Sequence, residues 1–212
     1  MSVSLFSVHL SDGAMSWPWV VGGFVCLAAL LAVAVRHVRD EEVPRIALLS
    51  AAFFVGSSIH IKLAVVPTSV HLILNGLVGV VLGRRAPLAV TIGLLLQYVL
   101  LSHGGLTTLG LNGCIAGLPA VGAGLCYPVL RRWLPAVACG VILGAAAAAG
   151  AVLLNFLALW LGGVEDWQTL ARLVLLAHIP VVIIESVLLG AIVAYLAKVR
   201  PDLLVGHTRA AE

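Results

Sequence analysis

Charge is what this chain has least of. Only 10% of its 212 residues are Asp, Glu, Lys or Arg, while 62% are hydrophobic, and the mean hydropathy is +1.15. Soluble domains carry roughly a quarter charged residues, so this composition excludes a water-facing globule. It points instead to an integral membrane protein. The chain has no block of like charge and no basic-aromatic pattern, which argues against nucleic acid as a partner. Its four cysteines, Cys26, Cys114, Cys126 and Cys139, form no CxxC pair and lie in apolar runs, so a thiolate zinc site is not expected and they read as small packing residues. No HExxH is present, no Ser/His or Cys/His pair stands in one span, and no filter-like ring motif occurs; an intramembrane metalloenzyme and a self-sufficient channel therefore have little support. Residues 1–8 have no positive n-region, and no small-residue cleavage pattern follows them, so the first long apolar run reads as a retained span rather than a signal peptide.

What the chain does have is a succession of apolar runs near bilayer length. They predict spans over 15–35, 45–60, 69–83, 87–101, 112–130, 135–161 and 170–197. The expected fold is all-α, with about seven transmembrane helices in one domain covering 1–212. An N-terminal segment (1–14) precedes the bundle (15–200), and a short tail (201–212) follows it. With the N-terminus outside, the inner loops and tail hold Arg36, Arg39, Arg45, Arg84, Arg85, Arg131, Arg132, Lys198, Arg200 and Arg209, and the outer side holds only Lys62 and Arg172. This positive-inside asymmetry supports seven spans with a cytoplasmic C-terminus, and six would break the alternation. The third and fourth runs are short and glycine-interrupted, as helices bordering a binding cavity often are.

That topology brings four of the seven histidines, His9, His60, His71 and His103, toward the outside, while His37 and His207 lie inside. His178 falls in the outer half of the last run. Imidazole is a common ligand of nickel, cobalt, copper and zinc, so a metal arriving from outside would meet these residues first. His103 and His178, taken singly, read as interfacial histidines rather than as ligands. His9 and His71 stand in more distinctive surroundings: Val8-His9-Leu10-Ser11-Asp12-Gly13, and Thr68-Ser69-Val70-His71-Leu72-Ile73-Leu74-Asn75-Gly76-Leu77. Two further stretches are notable, His103-Gly104-Gly105-Leu106-Thr107-Thr108-Leu109-Gly110 running on to Asn112, and His178-Ile179-Pro180 running through Glu185 to Arg200-Pro201-Asp202.

These four stretches, in this order over nearly the whole chain, resemble the substrate-binding (S) component of energy-coupling-factor ABC transporters for cobalt and nickel, the CbiM/NikM family. Family members begin with Met-His-Ile-Pro-Asp-Gly or close variants. The resemblance implies an importer component that captures nickel(II) or cobalt(II) outside a bacterial or archaeal cytoplasmic membrane. It implies partners too: a transmembrane coupling (T) subunit, two cytoplasmic ATPase subunits that hydrolyse the ATP, and a small accessory membrane subunit. No permanent cofactor is implied, the ion being cargo, and a role in cobalamin synthesis fits the cobalt relatives. In the family the ion takes the N-terminal amine, the next backbone nitrogen, that residue's imidazole and a second imidazole. Carried over, the imidazoles are His9 and His71, and a planar set of nitrogens suits nickel(II). The departure is the start. Seven residues precede Val8, so Val8 offers a free amine only if translation begins there, at a GTG codon; that is the expectation here. Ser11 also replaces the usual Pro.

Other residues have alternative roles. Asp12 could orient the His9 ring or simply make a turn. His60 reads as a weak ligand or a group behind the site. Asn75, one helical turn after His71, and Asn112 could line the pocket or bond between helices. His178 and Glu185, seven apart on one face, read as helix packing or docking to the coupling subunit rather than as part of the outer site, although a Glu within a span is costly and usually paired or functional. Gly140 and Gly144 form a GxxxG surface for close helix approach, internal or toward the coupling subunit. An S component for a vitamin is the alternative function, but it would have no use for the paired His motifs.

Overall fold

The computed structural model describes residues 9–62, 69–165 and 168–206. Among them stand eight α-helices: α1 (Trp17–Val35), α2 (Val43–Ser58), α3 (Asn75–Leu82), α4 (Ala86–Leu101), α5 (Leu109–Leu130), α6 (Ala136–Gly162), α7 (Gln168–Ala177) and α8 (Ile179–Val199). Proline sets several of the starts. Pro18, Pro44, Pro87 and Pro180 stand in the first turn of their helices, where a missing N–H costs nothing and the fixed φ suits the helix.

Five stretches are long and apolar enough to cross a membrane: Trp17–Val35, Asn75–Leu101, Leu109–Leu130, Ala136–Gly162 and Ala171–Val199. The second of these is two passes, not one. At Gly83 φ is +53°, a left-handed turn that glycine makes without strain, and the chain reverses there. Gly79 of α3 packs on Ala120 and Gly83 packs on Gly124, whereas Pro87 of α4 is back beside Gly117. With this half-length α3 and the 16-residue α2 included, the protein is an all-α, multi-pass membrane protein of about seven transmembrane helices. Side chains such as Trp17, Val25, Val99 and Val187 stay exposed on the bundle's exterior, as lipid-facing residues do.

Three boundaries differ from the apolar runs. The second and third runs do not remain helical to their ends at the histidine side. His60–Lys62 (β1) pairs antiparallel with Ser69–His71 (β2), with His60 opposite His71. Helix α3 begins only at Asn75, so Asn75 is not one helical turn below His71; Leu74, at φ 54°, breaks the chain between them. The last run is divided between α7 and α8 at His178, the N-cap of α8, whose carbonyl accepts the Val182 amide at 2.9 Å, so His178 stands at the head of the helix that carries Glu185.

Small residues let the helices meet. A Cβ at Gly140 would lie 2.5 Å from the Leu189 carbonyl oxygen, and one at Gly144 would lie 2.6 Å from that of Glu185. The GxxxG surface of α6 is therefore occupied by α8 inside the bundle. Gly23 and Gly110 bring α1 against α5 in the same way. Around these seams, Phe53, Val78, Val90, Ala120, Cys139 and Val193 form the largest apolar core.

The two ends of the bundle are chemically distinct. At one, the nearly fully buried Arg85 donates to the carbonyls of Ala34, Arg36 and His37 and to both carboxylate oxygens of Glu42, at 2.6–3.2 Å. Burial pushes the Glu42 carboxyl up, but the hydrogen bonds from Arg85 and the Arg39 amide, together with the Arg85 charge, outweigh it and hold the carboxyl below its ordinary range. The chain after α8 returns to this end, where the Val205 amide donates to the Val80 carbonyl at 3.0 Å and Leu204 is buried. At the other end, Met15 bridges Gly163, and the Ser16 amide donates to Gly162 at 2.8 Å. His9, the β-pair and the loop after α4 gather there.

Candidate metal site

The N-terminal segment is held by side chains of α5. Leu10 donates its amide to Asn112 Oδ1 at 2.9 Å and accepts from Asn112 Nδ2 at 2.9 Å, so one carboxamide grips one residue through both backbone groups. Thr108, fully buried, adds its hydroxyl to the same carbonyl at 2.6 Å. Asn112 therefore clamps the residue next to His9. The part of Thr108 was not foreseen, although its place one turn before Asn112 was the available signal.

Asp12 holds the loop before α5. Its carboxylate accepts the Thr107 amide at 2.8 Å, the Leu106 amide at 3.3 Å and the Thr107 hydroxyl. These contacts fasten the N-terminal turn to the loop at the entry to α5. Gly105 must be glycine for this contact, since a Cβ there would lie 2.5 Å from the Asp12 amide nitrogen. Gly104, at φ 78°, turns the same loop over His9.

The histidines converge. His9 and His71, 62 residues apart in the chain, stack with ring centres 4.9 Å apart and planes 22° from parallel. His103 stands edge-on to His9 with centres 6.2 Å apart. His9 and His71 are buried, at 8% and 1% exposure, and the Nε2 atoms of all three rings are buried. His71 Nδ1 lies 2.8 Å from the Leu72 carbonyl. A carbonyl only accepts, so Nδ1 is the donor, which leaves Nε2 of the neutral ring as the nitrogen available to a metal.

Two imidazoles cis on one ion, with bonds of about 2.0 Å, would have ring centres about 4.5 Å apart. The observed separation is close to that, but the planes face each other, so one ring would have to turn to share an ion. Among the described residues, no three His, Cys, Asp or Glu side chains form a group that could hold a metal ion by themselves. Val8 lies outside the described residues, and so does the ring of His60, of which only the backbone pairing with His71 is described.

The remaining residues lie deeper. Asn75, fully buried, donates to the Ala147 carbonyl at 3.0 Å and the Ala116 carbonyl at 3.4 Å, bonding between helices rather than facing His71. His178, also fully buried, directs Nδ1 at the Val174 carbonyl, 2.6 Å away. Glu185 is not a mere packing residue. One carboxylate oxygen accepts the Ile73 amide at 2.6 Å and the Leu74 amide at 2.9 Å, immediately after His71.

A family model described as the cobalt uptake substrate-specific transmembrane region, CbiM, matches residues 9–203. The chain belongs to the CbiM family. A putative metal transport protein of Haemophilus influenzae is 36% identical over 93% of this chain and 97% of its own length. A cobalt transport protein CbiM of Geobacter sulfurreducens is 27% identical over 93% of this chain, which spans 62% of that relative. The fold matches the crystal structure of a truncated transition metal transporter with a TM-score of 0.78, at 24% identity over 89% of this chain and 98% of that one. The CbiM family and these neighbours are metal transport proteins, not enzymes.

Proposed function

We propose that this CbiM-family protein is the capture component of an importer for nickel(II) or cobalt(II), binding the ion through His9 and His71. The observation that carries this reading is the meeting of those two rings, 4.9 Å apart and buried, at the end of the bundle opposite the arginines. Main-chain nitrogen at Val8 and His9 supplies the remaining donors, the Val8 amine being one of them in a chain that starts there. His103 borders the site. The positive-inside asymmetry supports an outward-facing histidine end, and the membrane proposed is a bacterial or archaeal cytoplasmic one. The bound ion is handed inward with a transmembrane coupling subunit, two ATPases and a small accessory subunit. A relative from Methanocorpusculum labreanum described as a putative fused cobalt transport protein CbiMQ, 27% identical over 93% of this chain, supports a partner of that kind.

The buried setting suits capture rather than surface adsorption. An ion in it exchanges its water for nitrogen donors fixed by surrounding hydrogen bonds, and protons compete for the same nitrogens, so affinity falls with pH. Between the two metals a planar nitrogen set favours nickel, while the names of the relatives favour cobalt. The deciding experiment is calorimetric titration of the purified protein with nickel and with cobalt, beside His9→Ala and His71→Ala. Binding is expected in the parent and loss of about 100-fold or more in each variant, the upper range for a disturbed metal site. Unchanged affinity in His71→Ala would refute the assignment.

A further inference from the structure

We propose that Glu185 is a positioning residue for the metal site: from α8 it fixes the turn after His71 and so sets where that imidazole points. The inference rests on the metal-capture reading above and goes beyond it by bringing a third element, α8, into the site.

The starting point is a local defect. Between β2 and α3 the chain leaves the ladder after His71 and enters the helix at Asn75 through Leu74, a non-glycine residue at φ 54°. The residues entering α3 have left the ladder and are not yet helical, so their amides have neither a ladder partner nor an intrahelical one. Here the N-cap position is Leu74, which has no side-chain acceptor. The amides of Ile73 and Leu74 are in apolar surroundings where leaving them unpaired is costly. Glu185 answers that need from more than a hundred residues away, with one oxygen 2.6 and 2.9 Å from the two nitrogens.

A local N-cap side chain reaches the second or third amide of its helix, whereas the Ile73 and Leu74 amides precede α3; taking their acceptor from α8 ties two elements together. Glu185 is 3% exposed, and its backbone sits where a Cβ on Gly144 would come within 2.6 Å. Its position is thus set by the α6–α8 seam. From there the bonds reach Ile73, and Ile73 is two residues from His71, whose own Nδ1 is held by Leu72. The direction of His71 Nε2 is therefore fixed by a short run of backbone anchored at both ends, by the β1 pairing on one side and by Glu185 on the other. A carboxylate near the start of α3 also faces the positive end of the helix dipole, which offsets part of the cost of keeping it in a span.

The test uses the chain started at position 8, in which the proposed amine donor is free, purified in detergent and titrated with nickel(II) while the ligand-field absorption of the bound ion is recorded. Glu185→Ala should weaken nickel binding about 10–100-fold, the usual scale for a group that orients a ligand, and should shift the absorption band because His71 meets the ion at a different angle. Glu185→Gln keeps an oxygen acceptor and should restore most of the affinity and the parent band. Glu185→Asp, one methylene shorter, should not reach both amides and should behave like the alanine variant; it decides the matter if that variant does not fold. Parent-like affinity and spectrum in folded Glu185→Asp or Glu185→Ala overturns the positioning role while the His71 assignment stands. A parent chain that binds neither nickel nor cobalt overturns the metal-capture reading, and this role with it.

Discussion

The hold of Asn112 on Leu10 makes a quantitative prediction. Asn112→Ala removes both bonds of the clamp. The Leu10 carbonyl keeps the Thr108 hydroxyl, but the Leu10 amide, on a residue only 4% exposed, loses its acceptor. A buried donor left unpaired costs about 1–3 kcal/mol, and the second bond adds about 0.5–1.5 kcal/mol. The segment has a cheaper course, because residues 9–14 have no helix of their own and can lift away from α5 so that Leu10 bonds to water. The cost then appears in metal affinity rather than in bundle stability. Taking about 2 kcal/mol as the expected value, nickel should bind roughly 30-fold more weakly. Asn112→Asp separates the two halves of the clamp: its carboxylate still accepts from the Leu10 amide but sets a second oxygen against the Leu10 carbonyl. It should do no better than alanine.

The assay pairs a nickel titration with hydrogen exchange at the Leu10 amide. The reasoning requires the two to move together, with exchange at Leu10 faster and affinity lower while the melting temperature changes little. Faster exchange with unchanged affinity would show that the N-terminal segment is not part of the binding site. Unchanged exchange would show that Asn112 does not hold it.

Other substitutions test other joints of the molecule. Gly144→Ala puts a methyl against the Glu185 carbonyl and should destabilise the bundle by about 1–3 kcal/mol, the usual cost of overpacking, read as a lower melting temperature in detergent; an unchanged melting temperature would mean that α6 and α8 are not pressed together there. Gly105→Ala should disturb the loop that Asp12 closes and weaken nickel binding with little change in melting temperature, and an unaffected titration would remove that loop from the site. At the opposite end, the pairing of Glu42 with Arg85 holds the carboxyl below its ordinary range, so its stabilisation is complete above the unfolded carboxylate's pKa and is lost as pH falls through the lower folded value. Melting temperatures of the parent and Glu42→Gln should differ by an amount worth about 1 kcal/mol at neutral pH and converge in acid; a difference that persists in acid would contradict the pairing.

The sequence made the membrane class and the number of passes legible because both depend on run length and apolarity, which a chain displays directly. His9 and His71 were legible through their local motifs. What it hid was the job of each polar group around them. Asp12 stands three residues from His9, and nothing near it in the chain announces that its oxygens also hold loop amides 94 and 95 residues further along. Asn75 was placed on the His71 face by assuming that the helix continued, and a single left-handed residue, Leu74, removed it. Glu185 read as a packing or docking residue because its depth along the last run could be estimated, whereas the depth of the turn it reaches could not. Side-chain partners distant in the chain depend on how far each helix extends and where it breaks, and hydropathy smooths over both.

Three oddities that look separate in the chain have one physical origin in the structure. The short third run, the carboxylate within the last span and the non-glycine residue at positive φ all follow from stopping α3 early. A third span that remained helical up to Ser69 would satisfy its own amides, need no acceptor from α8, and present His71 on a helix face. Breaking it at Leu74 frees backbone donors that only a buried acceptor can pair, which is the task Glu185 performs. In exchange, His71 sits on an extended strand whose side chain can meet a ring arriving from the N-terminal segment. Irregular backbone at membrane depth is tolerated where protein surrounds it, and here it brings two imidazoles, 62 residues apart in sequence, within 4.9 Å of each other.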